Sequence, residues 1–498
     1  MGQSMNLKES PQDVAARLRD ALGGEHARLR TSTEDLASYG RDFSYVVDKG
    51  PPQFVALPKT KEEVSSLLVL AGELGIPVTA RSAGLGLGTT MSTESGLVID
   101  CTLMNRVLSI DTETETVVVE SGVSFEELAP ILAQKGYAVS VPDAPPTASV
   151  LANHLNFGAG GYLTRHGLGA DLVVGLEVVL PDGSIAKTGT GSADGVNAFG
   201  RYASNPIPDL TGLFLGSLGT LGIVTSVAIK MFQLPKAVAH RKFGFASMEL
   251  ASRAAKLAAA RQLADQVTAY SWFFLAEATA KLADRVDGQP LSDSTIQEMR
   301  REVAHLPEAY VFFTVHSDLH DFEGRMTALT KLVTTECMGR PLNMSADETA
   351  KCDQIAFGQP HEFSKRALLG KKGRYQGAFG NYSVFAPLSS WEPLYRAWGE
   401  IGARFGHPVT IYAKLMPQGR FSIFGFFLSY YNQDDKEDRK RMADLCTALD
   451  KETRRLGGVP AVALPGQLPE SAGYPLYTMV KRALDPKDIM RPSLCKRA

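Results

Sequence analysis

The stretch TARSAGLGLGTT, residues 79–90, decides the fold because it packs three alternating glycines into a loop that directly follows a short apolar strand. A dinucleotide fold of the Rossmann type needs GxGxxG opening a helix, with an acidic residue about 20 positions further on. Asp100 supplies an acid near that spacing, but Thr89 stands in the place of the third glycine and turn residues lead into the strand LVID, 97–100. The order is therefore strand, loop, strand, without a helix dipole for a pyrophosphate. Alternating glycines instead free successive backbone amides to bind an anion.

The bulk composition is that of an ordinary globular protein. The chain has 498 residues, enough for two or three domains, with 44% hydrophobic and 21% charged residues. A formal charge of −2 gives no reason to expect binding to nucleic acid or to a membrane surface. Five scattered cysteines without CxxC spacing indicate reduced thiols, and no apolar segment is typical of a secretory signal or a bilayer span. We expect a cytoplasmic location.

Hydrophobic periodicity divides the chain near residue 236. Before that point, a helix is predicted over 61–74, and Ser124 with Glu127 predicts a capping box that opens another. After it, helical and strand patterns alternate, which predicts an α+β domain with a large antiparallel sheet backed by helices. The predicted helices are 251–264, 274–286 and 390–405, and the predicted strands include 309–317 and 423–431.

Two more stretches follow the glycine loop in order: VPDAPPTASVLANHLNFGAGGYLTRHGLGADLVVGLEVVLPDG, 141–183, and DLTGLFLGSLGTLGIVT, 209–225. Together with that loop they resemble the FAD-binding domain of the vanillyl-alcohol oxidase and p-cresol methylhydroxylase family, and the ending ALDPKDIMRPS is similar to the close of its members. The resemblance implies an α+β protein with a two-lobed FAD-binding domain of the p-cresol methylhydroxylase (PCMH) type and an α+β cap domain with a large antiparallel sheet. The expected boundaries are 1–235 for the FAD-binding domain, 236–462 for the cap and 463–498 for a segment that returns to the FAD domain.

The resemblance also implies which residues hold one FAD per chain. Main-chain amides of the glycine loop and of the turn at 147–151 would hold the diphosphate, small residues at 158–161 would let the backbone approach the ribityl chain and ring, and the main chain of Ile223 would pair with adenine. The implied set is Arg81, Ser82, Ala83, Gly84, Leu85, Gly86, Pro142, Thr147, Ala148, Val150, Leu151, Gly158, Gly160, Gly161 and Ile223.

A covalent flavin link is found in some members of this family. Leu85 stands where one subgroup carries a linking histidine, which excludes that attachment. In the vanillyl-alcohol and cresol branch a His or Tyr lies three residues before an F-x-P turn, and GNYSVFAPLS, 380–389, places Tyr382 there. Tyr382 is therefore a candidate tether to the flavin C8 methyl group, and the alternative is a tyrosine ring packed within a strand.

Candidate catalytic residues come from three places. The resemblance puts TRHG, 164–167, close to the flavin ring, so Tyr162, Arg165 and His166 are candidates, with His166 as a base near neutral pH; ring packing is the alternative. Arg374, in a basic run over 364–377, is a candidate for holding an anionic substrate, and the alternative is a solvated loop. Tyr412 shares one face of the strand TIYAKLM with Lys414, and we expect that face to line the pocket.

Two substrate signatures of the wider superfamily are missing. Leu85 and the segment 457–466 replace the tyrosines and arginine with which phenol oxidases of this branch hold a phenolate, and the H-x-G-D-G-N-x-H motif of the α-hydroxyacid members does not occur. His316 and His320 lie four residues apart, but we interpret them as surface or turn residues and expect no metal site.

The sequence therefore predicts an FAD-dependent oxidoreductase, an oxidase or a dehydrogenase, that transfers a hydride to flavin N5 from a small aromatic or hydroxylated substrate. Molecular oxygen or an electron-transfer protein is the expected acceptor, and a homodimer is compatible with the sequence. Two alternatives stay open: a biosynthetic flavoenzyme that forms or cleaves C–C or C=C bonds, and a non-catalytic FAD-binding protein.

Overall fold

The computed structural model describes residues 9–40, 50–85, 96–142, 144–193, 208–273, 293–302, 304–317, 321–342, 377–406, 410–416, 422–432, 435–461 and 475–492. Its helices, numbered in chain order, are α1 (Pro11–Ala21), α2 (Thr33–Ala37), α3 (Lys61–Leu74), α4 (Phe125–Ala133), α5 (Val150–Leu155), α6 (Leu163–His166), α7 (Met248–Ala260), α8 (Asp293–Glu302), α9 (Phe322–Lys331), α10 (Trp391–Arg404), α11 (Lys436–Arg455) and α12 (Pro475–Leu484). Within these ranges, every helix falls short of the length and apolarity that crossing a bilayer requires.

The first lobe is a four-stranded sheet covered by α1 and α3. Its strands are β1 (Leu29–Arg30), β2 (Phe54–Ala56), β3 (Val78–Arg81) and β4 (Leu97–Asp100), in the order β1-β2-β4-β3, with β4 parallel to both of its neighbours. The predicted helix over 61–74 is confirmed as α3, which begins at the N-cap Thr60 and ends at Gly75. Its apolar residues at helical spacing are buried against the sheet.

The second lobe is an antiparallel sheet with a separate two-stranded ribbon. The strands in chain order are β5 (Val107–Asp111), β6 (Thr116–Glu120), β7 (Tyr137–Ala138), β8 (Val173–Val179), β9 (Ile185–Lys187), β10 (Ile223–Lys230) and β11 (Phe232–Gln233). The sheet has the order β5-β6-β10-β8-β9, and β7 pairs with β11. The predicted capping box is confirmed, because the Ser124 and Glu127 side chains each bind the other residue's backbone N–H at the start of α4.

The second half of the chain forms the large antiparallel sheet that the sequence predicts. Its strands are β12 (Val238–Phe245), β13 (Gln266–Ser271), β14 (Ala309–His316), β15 (Arg340–Pro341), β16 (Gly377–Pro387), β17 (Thr410–Leu415), β18 (Ser422–Asn432) and β19 (Val459–Pro460), in the order β15-β12-β14-β13-β17-β18-β16-β19. Helices α7, α9, α10 and α11 cover one face and bury Trp391 and Trp398 in the same core as that face of the sheet. The predicted helix over 274–286 lies outside the described residues.

Two segments within the described residues pack across the boundary between the halves of the chain. Residues 157–168 of the first half pack against the face of the large sheet that the helices leave uncovered. Residues 475–492, which include α12, return to pack against both lobes of the first half. The domain boundaries at 235 and 462 stay predictions.

Candidate functional site

The glycine loop starts at the end of β3 and is supported by a cation. Gly84 takes a left-handed φ of 72°, and the Arg81 guanidinium lies against it in the space that a Cβ would fill. The guanidinium carbon is 4.4 Å from the centroid of the Tyr39 ring, and the Tyr39 hydroxyl donates to Asp100 Oδ2 at 2.9 Å. Burial, aided by the Asp100 carboxylate, raises the pKa of Tyr39 to about 12, so this hydroxyl stays protonated. A positive charge beneath turn amides suits an anionic group such as a diphosphate.

The 147–151 turn belongs to the core of the second lobe. Ser149 caps the first turn of α5, while Ala148, Val150 and Leu151 are buried in the core of the second lobe. Leu85 packs against that same core. The loop and the turn, which are far apart in sequence, therefore pack against the same core.

The small residues at 158–161 allow close approach of backbone to backbone and to the large sheet. Gly160 forms an antiparallel β-bridge with Pro142, and a Cβ at Gly158 would overlap a neighbouring side chain. At Gly161 an added Cβ would lie 3.7 Å from Gln266 Oε1, so this glycine faces the large sheet. The segment thus runs along the junction between the two halves of the chain.

Ile223 connects the two lobes. It opens β10, pairs with Val179 and is buried with Val78 of β3 in one cluster. Four residues earlier, Gly219 is so close to β3 that an added Cβ would lie 3.5 Å from the Ala80 Cβ. The 217–223 loop therefore sits against the strand that leads into the glycine loop.

The residue types of these four segments fit a dinucleotide. The fit rests on the left-handed turn at Gly84, the cation beside it and the small residues that leave no room for a Cβ. Ser82, Ala83 and Thr147 lie on the same segments, whereas the predicted contact Gly86 and the candidate Arg374 lie outside the described residues. The individual FAD contacts stay predictions.

The uncovered face of the large sheet is aromatic. We call it the inner face and define it by two cross-strand rows whose members pair in register, so that their side chains point the same way. The first row is Lys242, Phe312, Thr268, Lys414, Phe424 and Phe385, and the second is Tyr310, Tyr270, Tyr412, Phe426 and Ser383. The prediction that Tyr412 and Lys414 share a face is confirmed, and that face is the one against which residues 157–168 pack.

Polar bonds fix the junction between α6 and the inner face. Thr164 Oγ1 donates to the Leu415 carbonyl at 2.9 Å and accepts the Val267 N–H at 2.9 Å. Lys414, only 1% exposed, donates from Nζ to the Ala159 carbonyl at 3.3 Å. Lys414 is thus held where the small-residue segment meets the inner face.

Tyr162 and His166 lie in a group of packed rings. Both stack on Phe232, with ring centroids 4.7 Å and 4.5 Å away, and Tyr162 meets His316 edge-on at 4.6 Å. The interpretation of His316 as a surface or turn residue is wrong, because it ends β14 and is 6% exposed. His320 lies outside the described residues. The rings brace α6 against the large sheet, and a catalytic role for Tyr162 or His166 stays a prediction.

Arg165 joins a buried ionic cluster centred on Asp265, which is 0% exposed. Asp265 Oδ1 accepts Arg165 Nη1 at 3.3 Å, while Oδ2 accepts Arg325 Nη2 at 3.0 Å and the His316 N–H at 2.7 Å. Two guanidinium groups and an amide therefore compensate one buried carboxylate. The cluster ties α6 to the large sheet, and a substrate contact by Arg165 stays a prediction.

Tyr382 points into the helix-covered core, on the opposite face of the sheet from the inner face. Its side chain is buried in the helix-covered core, edge-on to Trp398 at 5.6 Å, and its hydroxyl donates to Asp450 Oδ1 at 3.4 Å. Burial raises the pKa of this phenol well above its ordinary value. Side chains alternate along a strand, so the inner face receives Ser383 and Phe385 instead. This placement contradicts the tether assigned to Tyr382 and agrees with the alternative of a packed ring.

Two residues, Lys414 and Asp265, make more bonds across the junction between the two halves of the chain than the sequence predicts. Lys414 was recognised only as a neighbour of Tyr412, although the alternation of TIYAKLM places a lysine on a buried strand face. Asp265 has no motif around it, because its partners Arg165 and Arg325 are distant in sequence. Only the fold reveals that cluster.

Sequence comparisons relate the first half of the chain to known FAD-binding proteins. The FAD binding domain family matches residues 52–189. An FAD-linked oxidoreductase of Mycobacterium tuberculosis is 35% identical over 221 residues, 44% of this chain and 46% of that protein. The glycolate oxidase subunit of Bacillus subtilis is 35% identical over 227 residues, 45% of this chain and 46% of the relative. The chain thus spans about half the length of the curated relatives it matches.

A solved structure matches nearly the whole chain. The crystal structure of p-cresol methylhydroxylase with substrate bound gives a TM-score of 0.82 over 99% of this chain and 98% of the other, at 17% sequence identity. At that identity the likeness shows the fold. The predicted resemblance, the predicted fold class and the predicted cofactor FAD are confirmed.

Proposed function

We propose, from an FAD-binding domain within a p-cresol methylhydroxylase fold, that this chain is an FAD-dependent oxidoreductase acting on a small aromatic organic anion. The reacting carbon would be one that bears oxygen or a benzylic carbon. When bound, FAD supplies the acceptor for the hydride, and the protein supplies binding, orientation and electrostatics. The observation that carries the substrate class is the inner face, with its aromatic rings and two lysines.

The aromatic rings of the inner face suit a planar ligand. Tyr270 and Tyr412 stack at 5.5 Å with 29° between their planes, and Tyr412 and Phe426 stack at 4.6 Å with 11°. Such a row offers a flat apolar surface on which another ring gains both buried area and stacking. An aliphatic hydroxy acid would use little of it.

The charge on the inner face suits an anion. Lys414 and Lys242 lie in one cross-strand row, and within the described residues of the two rows every ionisable side chain is a lysine or a tyrosine. Lysines on a largely buried wall favour a negatively charged ligand more strongly than they would in water. Lys414 is the nearer of the two to the small-residue segment, because it bonds to Ala159.

Each candidate residue has a distinct role in the proposed reaction. Lys414 attracts and orients the anionic group or the flavin ring, and Tyr412 stacks on the substrate ring. Thr164 and the Asp265 cluster position α6, so that the small-residue segment keeps its distance from the inner face. His166 stays a candidate base, and O₂ or an electron-transfer protein stays the proposed acceptor.

The test is an anaerobic screen in which bleaching of the flavin absorbance reports hydride transfer. The panel holds an aromatic hydroxy acid, the neutral aryl alcohol with the same ring, and an aliphatic hydroxy acid. We expect the aromatic anion to reduce the flavin fastest. Readmitting O₂, or adding a cytochrome instead, then separates an oxidase from a dehydrogenase.

A series of variants tests whether the positive charge of Lys414 binds the anionic group of the substrate. Lys414→Met removes a charged hydrogen-bond donor of about 1.5–3 kcal/mol, so its Kd for the aromatic anion should rise roughly 10- to 100-fold. Its Kd for the neutral alcohol should change little, and Lys256→Met, an exposed lysine of α7, serves as the control. Equal loss for anion and alcohol would refute the charge argument, and a flavin that no compound bleaches would refute the enzymatic proposal.

A further inference from the structure

The C-terminal segment, residues 475–492, lies on the strand that leads into the glycine loop. The Val78 N–H donates to the Ile489 carbonyl at 2.7 Å, and the Arg491 N–H donates to the Val78 carbonyl at 3.0 Å. Residues 489–491 therefore run parallel to β3 at its otherwise unpaired edge. The ending ALDPKDIMRPS thus has a defined partner within the FAD-binding half.

Lys481 is the centre of this segment and is 6% exposed. Its ammonium donates to the Thr220 carbonyl at 3.0 Å, to the Met490 carbonyl at 2.8 Å and to the Asp485 carboxylate. Asp485 in turn accepts the N–H groups of Ile489 and Met490, at 3.0 Å and 2.8 Å. The buried charges are paired and hydrogen-bonded, which is the condition for keeping them inside. One bond of this set reaches out of the segment, to the 217–223 loop.

Arg491 makes a second bond to that loop. It is 3% exposed, and its Nη1 donates to the Leu218 carbonyl at 2.9 Å. Leu218 and Arg491 both have left-handed φ angles, 54° and 46°, which residues other than glycine adopt at a cost. Strain of this kind persists where the surroundings fix the backbone, and it concentrates at functional sites.

The two bonds set the direction of two amides. In a trans peptide the C=O and the following N–H point in opposite directions. With the carbonyls of Leu218 and Thr220 held by the C-terminal segment, the N–H groups of Gly219 and Leu221 point away from it. Neither N–H donates to a backbone acceptor among the described residues.

We propose that Lys481 and Arg491 are positioning residues for FAD, which hold the 217–223 loop so that the Gly219 and Leu221 amides face the cofactor. The inference rests on the proposed placement of FAD beside this loop. It assigns the C-terminal segment a part in cofactor retention without any contact to FAD of its own.

The experiment measures how fast FAD leaves the purified holoprotein, from the rise of FAD fluorescence after dilution. Lys481→Met alone would leave Asp485 buried without its cation, so the main variant is the double substitution Lys481→Met with Asp485→Asn, which removes both charges. Arg491→Met tests the second bond independently. Arg482→Met, an exposed neighbour on α12, is the matched control.

We expect FAD release to be roughly 10- to 100-fold faster in the double variant and about 10-fold faster in Arg491→Met, since each loses a charged hydrogen bond to the loop. The Arg482→Met rate should stay within about twofold of the wild-type rate, the spread typical of surface substitutions. Hydrogen exchange of peptides covering 217–223 should slow when FAD binds to the wild-type protein and slow less in the folded Arg491→Met variant, whereas a purely structural role of Arg491 would give both proteins the same change.

Two results would overturn the proposal. One is a folded double variant, with unchanged circular dichroism and elution volume, that releases FAD at the wild-type rate. The other is unchanged exchange at 217–223 on FAD binding, which applies even where a variant fails to fold. Release needs no substrate, so a failed substrate screen would refute the proposed function and leave this inference standing.

Discussion

Replacing Asp265 by Asn should destabilise the junction between α6 and the large sheet far more than losing an exposed ion pair does. The substitution keeps the side-chain shape and removes the charge that Arg325 and Arg165 share, at 3.0 Å and 3.3 Å. Asp265 is 0% exposed, and the Arg325 side chain is 10% exposed. The uncompensated Arg325 charge would therefore stay in the interior.

The magnitude follows from that burial. Breaking a buried ion pair at one partner costs about 3–5 kcal/mol. We expect the lower end, about 3 kcal/mol, because Asn can still accept the His316 N–H and because the Arg165 side chain, 25% exposed, keeps contact with water. For a folding unit of about 150–250 residues this lowers Tm by roughly 6–12 °C.

The assay is differential scanning calorimetry of the holoprotein, since one chain with several folding units need not unfold in a single step. Glu336→Gln is the matched control: Glu336 also forms a paired contact with an arginine, Arg261, at 2.7 Å, but both side chains are more than 40% exposed. That control should shift Tm far less, because water and salt screen an exposed pair. Equal shifts in the two variants would refute the reasoning that burial decides the cost.

Two further outcomes follow from the FAD-binding half. Gly84→Ala places a methyl group where the Arg81 guanidinium lies and strains a backbone with φ of 72°. Equilibrium dialysis should therefore show FAD affinity weakened by about tenfold or more. The control Gly399→Ala, in open space on α10, should leave FAD affinity unchanged. Burial lowers the pKa of His154 from 6.5 to about 4, so between these pH values the unfolded chain binds a proton that the folded chain does not. The free energy of unfolding is therefore highest above pH 6.5 and falls by up to about 1.4 kcal/mol per pH unit towards pH 4. His154→Leu should flatten the plot of Tm against pH in that window, and parallel plots for the two proteins would contradict this assignment.

The FAD-binding half was predictable because its function constrains local sequence. A backbone that approaches a dinucleotide needs glycines at fixed places, and those glycines appear in order along the chain. The structure adds why they are needed here, for example the guanidinium that fills the Cβ space at Gly84. It also shows the support for the loop from Tyr39, which no motif marks.

The strands of the large sheet were predictable from the sequence, but the face to which each side chain points was not always predictable. Moving by one residue along a strand exchanges the two faces of a sheet. The F-x-P motif singled out Tyr382 as a candidate tether, yet its side chain points into the core with Trp398. On β17 the alternation between apolar and polar residues was unambiguous, and the pairing of Tyr412 and Lys414 on one face followed from it.

The same alternation separates the two faces of this sheet. On β17, Ile411, Ala413 and Leu415 point into the helix-covered core, whereas Tyr412 and Lys414 point to the inner face. A change at the first set alters packing, since cores are close-packed and intolerant of altered volume. A change at the second set alters the inner face and, at Lys414, also the buried bond to the Ala159 carbonyl. If the inner face binds the substrate as proposed, residues that determine substrate preference lie on the opposite face of the sheet from those that pack its core.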